Sequence, residues 1–334
     1  MHPPVLVALT ALSISLVAIP LCRVLAYRIN ALDSKSERAL GGSSPRIGGV
    51  GIAFAAVIAL LTTDASRHTD AALILLLALP LALVGLVDDL RNVHPLFARI
   101  EALPFWWAVK LFVQLVPATL AVLFAHLLRP EWFLLLLPVA VLFIAGVTNA
   151  VNFMDGINGI SALEGVVCGT ALAWLLTSRG DGEFALLPLA VAAAAAGFLP
   201  YNLRSGSIYL GDFGATAIGF VMAAGTLRAV YMGVHPFAAV LPLLPFLADT
   251  GLTLVRRLRR RANVFSAHRE HYYQRLTARL GNRHMPAALL WCAMAIVCSL
   301  CAIGYERGVA WWVLIVPVVM QVVVFVAIDR YEAR

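Results

Sequence analysis

Long apolar runs alternate with short polar connectors along the whole chain, and the length of the runs sets the architecture. A bilayer core takes about 20 consecutive apolar residues per helix. On that ruler the chain divides into about eleven spans, near 4–25, 48–63, 71–88, 104–126, 132–150, 159–177, 184–200, 213–232, 236–255, 286–304 and 309–328. The runs 48–63 and 184–200 are short for a crossing. The run 71–88 contains Pro80, which packed neighbours tolerate inside a membrane helix. No repeat of 20–50 residues is present, so the pattern predicts one all-α domain over 1–334, a polytopic integral membrane protein.

The polar positions are not spread evenly. They gather at Asp88-Asp89, at Asn149 to Gly159, at Gly211-Asp212-Phe213-Gly214 and at His268-Arg269-Glu270-His271. The runs 71–88, 132–150, 184–200 and 236–255 all cross the bilayer in the same direction, and each ends at one of these clusters. Parity therefore brings all four to one membrane face, where they can converge on a wet site.

Composition strengthens this reading. Of 334 residues, 61% are hydrophobic and only 13% charged, and the mean hydropathy is +0.88, which excludes an ordinary soluble domain. The net charge of +7 does not predict a nucleic-acid partner, because the cations sit in connectors between spans, where they orient the chain and meet anionic lipid headgroups. Nineteen of the 25 Lys and Arg fall on one side and five on the other, Arg23 lying near the inner end of the first run. The positive-inside rule then gives N-out and C-in, with the clusters facing the cytoplasm. The first run lacks a basic leader and is followed by Arg23 and Arg28, so it is expected to be a retained span. Cys22, Cys168, Cys292, Cys298 and Cys301 all lie in apolar segments and predict buried free thiols, the Cys298/Cys301 spacing included.

Each cluster has a bland and a chemical reading. Asp88 and Asp89 end a helix, and adjacent carboxylates stay ionised only when a cation or water screens them. That points to a divalent ion, a partner such as Lys110, or a general base. The stretch Asn149-Ala150-Val151-Asn152-Phe153-Met154-Asp155-Gly156-Ile157-Asn158-Gly159 has more turn-forming polar residues than a reversal needs, and its oxygens and amides suit a sugar-phosphate or a hard cation. Asp212 is expected at a helix N-terminus, where capping explains the carboxylate but not the flanking glycines. His268 and His271 are expected on one face of a basic interfacial helix, and His with Arg269 suits diphosphate chemistry. Arg46, in Pro45-Arg46-Ile47-Gly48-Gly49, adds a cation at the start of the second run.

Order, spacing and membrane side together resemble the polyprenyl-phosphate N-acetylhexosamine-1-phosphate transferases, a glycosyltransferase family 4 type. The resemblance runs from Pro45-Arg46-Ile47-Gly48-Gly49 through Asp88-Asp89, Lys110 with Gln114, Asn149 to Gly159 and Gly211 to Gly214, as far as His268 to Leu276. It implies ten or eleven membrane helices and a Mg2+-dependent reaction, with Mn2+ as an alternative ion, at the cytoplasmic face of a bacterial inner membrane. A sugar 1-phosphate would pass from a UDP-N-acetylhexosamine to undecaprenyl phosphate, with release of UMP. By position Asp212 resembles the metal ligand and Asp88 and Asp89 the catalytic pair. Asn152 and Asp155 resemble the nucleotide-sugar motif, and His268, Arg269 and His271 the segment that engages the diphosphate. Arg46, Lys110, Asn149 and Asn158 join the expected substrate-binding set, although Asn158 stands where several members carry Asp. The motif His-Arg-Glu-His lacks the three consecutive His of the peptidoglycan branch and looks more like the O-antigen-initiating branch. UDP-GlcNAc or a related UDP-N-acetyl-deoxyhexosamine is the implied donor, and homodimers are common in the family. The main rival is a secondary transporter, but transporter acids lie near the midplane between inverted repeats, and neither feature is visible here.

Overall fold

The computed structural model describes residues 2–28, 32, 44–63, 69–91, 95–128, 131, 133–203, 207–263 and 268–332. Among them, ten helical stretches are long and apolar enough to cross a bilayer, and an eleventh apolar helix is shorter. The connector cations Lys35, Arg38, Arg204 and Arg334 lie outside the described residues.

In chain order the helices are α1 (Pro3–Arg28), α2 (Gly48–Leu61), α3 (Thr69–Leu90), the short α4 (Pro95–Glu101), α5 (Trp106–Phe124), α6 (Phe133–Met154), α7 (Ile160–Ser178), α8 (Gly182–Asn202) and α9 (Gly211–Tyr231). They continue with α10 (Pro236–Val240), α11 (Leu244–Arg259), α12 (Tyr272–Arg279), α13 (His284–Glu306) and α14 (Ile315–Glu332). The 14 residues of α2 reach about 21 Å at 1.5 Å per residue, short of a full hydrocarbon core. The expected single span 236–255 is broken into α10, a 3-10 turn at Leu241–Leu243 and α11. Pro242 and Pro245 explain the break, since each removes an N–H and crowds the preceding turn. The expected basic helix through His268 and His271 is also interrupted: α11 stops at Arg259 and α12 begins only at Tyr272.

Helices α7, α8 and α9 form the inside of the bundle, whereas α1, α5 and α14 leave most of their apolar surface outward, as lipid-facing helices do. Small residues make the inner packing close. The Ser15 hydroxyl of α1 donates to the Ala194 carbonyl within the alanine run of α8 at 2.7 Å. Pro20 has no N–H for the Leu16 carbonyl, and the Tyr201 hydroxyl of α8 supplies the missing donor at 2.7 Å.

The bundle has two chemically distinct ends. At one end the starts of α3 and α8 meet the finish of α9. There Arg228 bonds Asp70 at 2.9 Å and Asp181 at 2.5 Å, and its guanidinium lies over the Phe184 and Tyr231 rings. Asp181 also caps α8 through the Phe184 N–H. At the other end lie the finish of α3, the start of α5, the finish of α6 and the start of α9, and there the expected clusters collect. Among the described residues, removing Arg228 leaves Asp70 only the His126 ring nitrogen and Asp181 only the Phe184 N–H, and breaking a largely buried ion pair costs about 3 kcal/mol. The Arg228→Ala protein is therefore expected to melt in detergent several degrees below wild type; an unchanged midpoint would remove the clamp from the fold's supports.

Candidate active site

The site is organised by the junction of α3 with α9. Gly211 turns into α9 at φ 79°, a left-handed conformation that suits glycine. The segment before it pairs with the turn that opens α2: Tyr209 N–H donates to Pro45 O, and Gly48 and Gly49 N–H donate to Tyr209 O and Leu210 O at 2.9 and 2.8 Å. A helix start leaves its first N–H groups without partners, and no side chain of α9's own N-cap answers them. Asp89 does so from α3. Its Oδ1 accepts the Asp212 N–H at 3.0 Å and its Oδ2 the Phe213 N–H at 3.1 Å, and Arg46 Nη1 lies 4.0 Å from Oδ1. Gly85, one turn earlier on α3, permits the approach, because a Cβ there would sit 2.6 Å from the Asp212 carbonyl carbon.

This cap decides what Asp212 is for. With α9 capped by Asp89, the Asp212 side chain is not needed at the helix start and instead lines a cavity of about 210 Å3. Asp88, Lys110, Gln114, Asn149, Asn152, Phe153 and Thr216 share that lining, with an apolar wall from Leu81, Val84, Gly85 and Val113. Lys110 Nζ meets Asp88 Oδ2 at 2.8 Å. Gln114, one turn along α5 from Lys110, exchanges amide bonds with Asn149 at 2.8 and 3.2 Å, which fixes both amides at the wall. Thr216 donates to the Asp212 carbonyl at 2.7 Å.

Asp88 Oδ1 is buried and has no hydrogen-bond partner among the described residues. An orphaned carboxylate oxygen beside a second carboxylate is costly unless a cation joins them. Asp88 and Asp212 therefore fit a hard divalent ion. Among the described residues no three His, Cys, Asp or Glu form a complete metal cage. That suits Mg2+, which takes one or two carboxylates and fills its remaining positions with water and substrate phosphates.

The last loop reaches the same end of the bundle by a second cap of the same kind. Asp249, fully buried on α11, accepts the Tyr272 N–H at 2.9 Å and the Tyr273 N–H at 3.0 Å, so α12 starts there and the histidines precede it. Tyr272 stacks on Phe325 of α14, with the Arg256 and Arg275 guanidinium groups over its ring. The Tyr273 hydroxyl donates to Phe153 O at 3.0 Å. The His271 ring lies 6.2 Å from Phe153 and 5.0 Å from His268. Partial burial first, then His271 and Arg257, hold His268 below its ordinary pKa of 6.5, which favours the uncharged ring.

Of the residues expected from sequence, Asp88, Lys110, Asn149, Asn152 and Asp212 line the cavity together. Asp89, expected to share catalysis with Asp88, does not line it, because both its oxygens are taken up by α9 and Arg46 stands beside it. Asp155 and Asn158 sit buried in the turn after α6, away from the lining, and the Asn158 N–H faces His284 Nδ1 at 3.3 Å. His268 and His271 do not share a helix face. Neither lines the cavity: His271 lies beside Phe153 of the lining and His268 beside His271, while Arg269 is exposed in the same loop. Sequence reading passed over Asp249 and the Gln114–Asn149 exchange. The signal for Asp249 was present, since a carboxylate inside an apolar run is costly without a purpose. Asp89→Asn leaves only one acceptor oxygen for two N–H groups. It is expected to lower stability by about 1–3 kcal/mol and to impair the site; unaltered thermal stability would contradict the cap.

A family model described as glycosyl transferase family 4 matches residues 71–230. The chain is similar to a probable undecaprenyl-phosphate N-acetylglucosaminyl 1-phosphate transferase of Bacillus subtilis (strain 168), at 27% identity over 89% of this chain and 83% of the relative. It is 28% identical to a decaprenyl-phosphate N-acetylglucosaminephosphotransferase of Mycolicibacterium smegmatis, over 96% and 87% of the two chains. It is 32% identical to a phospho-N-acetylmuramoyl-pentapeptide-transferase of Pelobacter propionicus, over 56% of this chain and 58% of that one. The matched segment holds every side chain that lines the cavity, and it is over this segment that the chain is similar to glycosyl transferase family 4.

Proposed function

We propose that this protein transfers N-acetylhexosamine 1-phosphate from a UDP-sugar to undecaprenyl phosphate, releasing UMP, on the cytoplasmic side of a bacterial inner membrane. The observation that carries the reading is one cavity at one end of a membrane bundle, lined by Asp88, Lys110, Asn149, Asn152 and Asp212, with a buried carboxylate oxygen that no described residue pairs. The names of the relatives support the same reaction.

In this scheme an oxygen of the lipid phosphate attacks the β-phosphorus of the donor. A new P–O bond forms to the lipid phosphate, the bond between the β-phosphorus and the bridging oxygen breaks, and that oxygen leaves with UMP. Both reactants are anions, so charge neutralisation is the first requirement. Asp212 and Asp88 would hold Mg2+, with Mn2+ as an alternative, and a bound ion would offset the phosphate charge. Lys110, 2.8 Å from Asp88, is placed to meet phosphoryl oxygens while it orients that carboxylate. Asp88 is the member of the acidic pair that faces the cavity and is the group to take a proton from the acceptor phosphate. Asn152 offers an amide donor to the nucleotide-sugar, and Asn149, whose N–H groups go to Gln114 Oε1 and Ala145 O, holds the wall beside it. His271 and His268, at the Phe153 side, would engage the donor diphosphate with Arg269.

UDP-GlcNAc is the first donor to test, followed by UDP-N-acetyl-deoxyhexosamines. The His-Arg-Glu-His motif favours initiation of O-antigen or a related envelope glycan over a MurNAc-pentapeptide donor. A transporter reading gains no support, because the cavity acids lie at one end of the bundle and Arg228 ties α3, α8 and α9 at the other.

Membranes containing the protein are expected to release UMP from UDP-GlcNAc only with undecaprenyl phosphate and a divalent cation present. Asp88→Asn and Asp212→Asn should each reduce turnover by roughly 100-fold or more in folded protein; near-normal rates in both would refute the scheme. For orientation, a C-terminal fluorescent-protein fusion should fluoresce, whereas a C-terminal alkaline phosphatase fusion should be inactive. The reverse pattern would put the site outside.

A further inference from the structure

The N-cap position of α12 is occupied by His271, although Ser, Thr, Asn and Asp are the residues that cap helices best. His271 closes a capping box with Gln274, but the first two N–H groups of α12 go to Asp249, 22 residues earlier and inside the preceding membrane stretch, where a carboxylate is expensive. An ordinary cap at position 271 would serve α12 equally well. What the displaced carboxylate adds is contact with the imidazole: Asp249 Oδ1 stands 3.2 Å from His271 Nδ1, with both side chains almost fully buried.

We propose that Asp249 is a positioning residue for the transfer, holding the proton of His271 on Nδ1 so that Nε2 is the ring edge left for substrate. The proposal rests on the reading of His271 as a group of the transferase site. Asp249 already accepts the Tyr272 and Tyr273 N–H groups, and Thr253 Oγ1 lies 3.3 Å from Oδ1. A carboxylate has only lone pairs to offer, so the ring nitrogen facing it must be the donor. The opposite tautomer would turn an Nδ1 lone pair toward the Gln274 N–H of the capping box, but also directly against the carboxylate. The His271 backbone N–H is separately held by Gln274 Oε1 at 3.3 Å, and the ring stacks toward Tyr273 and Phe153. Backbone and ring plane are thus restrained, and the carboxylate sets the tautomer. In the neutral ring Nε2 takes a proton and returns it while Nδ1–H stays on Asp249, the arrangement that lets one buried acid orient a working imidazole.

The test reads both tautomer and kinetics in the full-length protein in detergent. With 15N-labelled histidine and assignment by His271→Gln, the wild-type His271 ring is expected in the Nδ1–H form above neutral pH, with Asp249→Asn shifting it toward Nε2–H. With UDP-GlcNAc and undecaprenyl phosphate, Asp249→Asn should lower kcat by roughly 100-fold and move the donor KM less than about threefold. The Asp249→Asn/His271→Gln double variant should be no slower than His271→Gln alone, since removing a positioned group makes its positioner redundant. An Nε2–H ring in the wild type, a wild-type kcat in Asp249→Asn, or additive losses in the double variant would each overturn the proposal. If Asp249→Asn does not fold, the wild-type spectrum alone decides it. Absence of transfer by the wild-type protein would instead refute the proposed function, and the tautomer would still test the Asp249 contact.

Discussion

A buried carboxylate on one helix accepting the first backbone N–H groups of another is the interaction on which the rest of this structure depends. Among the described residues it occurs at Asp89 with Asp212 and Phe213, and at Asp249 with Tyr272 and Tyr273. Within a bilayer neither an unpaired helix start nor an unpaired carboxylate is tolerable, and each answers the other's deficit. Because the bonds are directional and the surroundings dry, they fix the register between helices that apolar packing alone would leave free to slide.

The two caps also divide labour within the clusters. At the first, Asp89 supplies the helix start, so its neighbour Asp88 and the capped helix's Asp212 are left for the cavity. At the second, Asp249 supplies the start of α12, which leaves His271 beside Phe153 and His268 beside His271. The residues that hold the site and those that line it are adjacent in sequence yet chemically separate. Gly85 and Gly211 belong to the holding set, because added side chains would strike Asp212 and Asp89.

Much of this was legible in the chain. Run lengths gave the order of the apolar segments and about eleven spans, of which ten among the described residues are long enough to cross and α2 is not, and parity put four clusters at one end because it needs only a count of crossings. What the pattern could not separate was Asp88 from Asp89: adjacent carboxylates have the same composition and spacing signal, and only the position of α9's N-terminus decides which is consumed as a cap. The same limit applies to His268 and His271, which spacing alone places on one helix face. Three-dimensional capping by Asp249 starts the helix after them. The break in the stretch 236–255 was readable from Pro242 and Pro245, but the hydropathy of the run masks it. The Gln114–Asn149 exchange joins α5 to α6 across 35 residues and leaves no local trace.

The most direct test is an experimental structure of the protein with a UDP-sugar donor bound. The expected result is a donor diphosphate between Asp88 and Asp212, with the Asp89 carboxylate still on the Asp212 and Phe213 amides. A donor bound elsewhere, or Asp89 released from α9 and turned toward the diphosphate, would contradict the division between holding and lining residues.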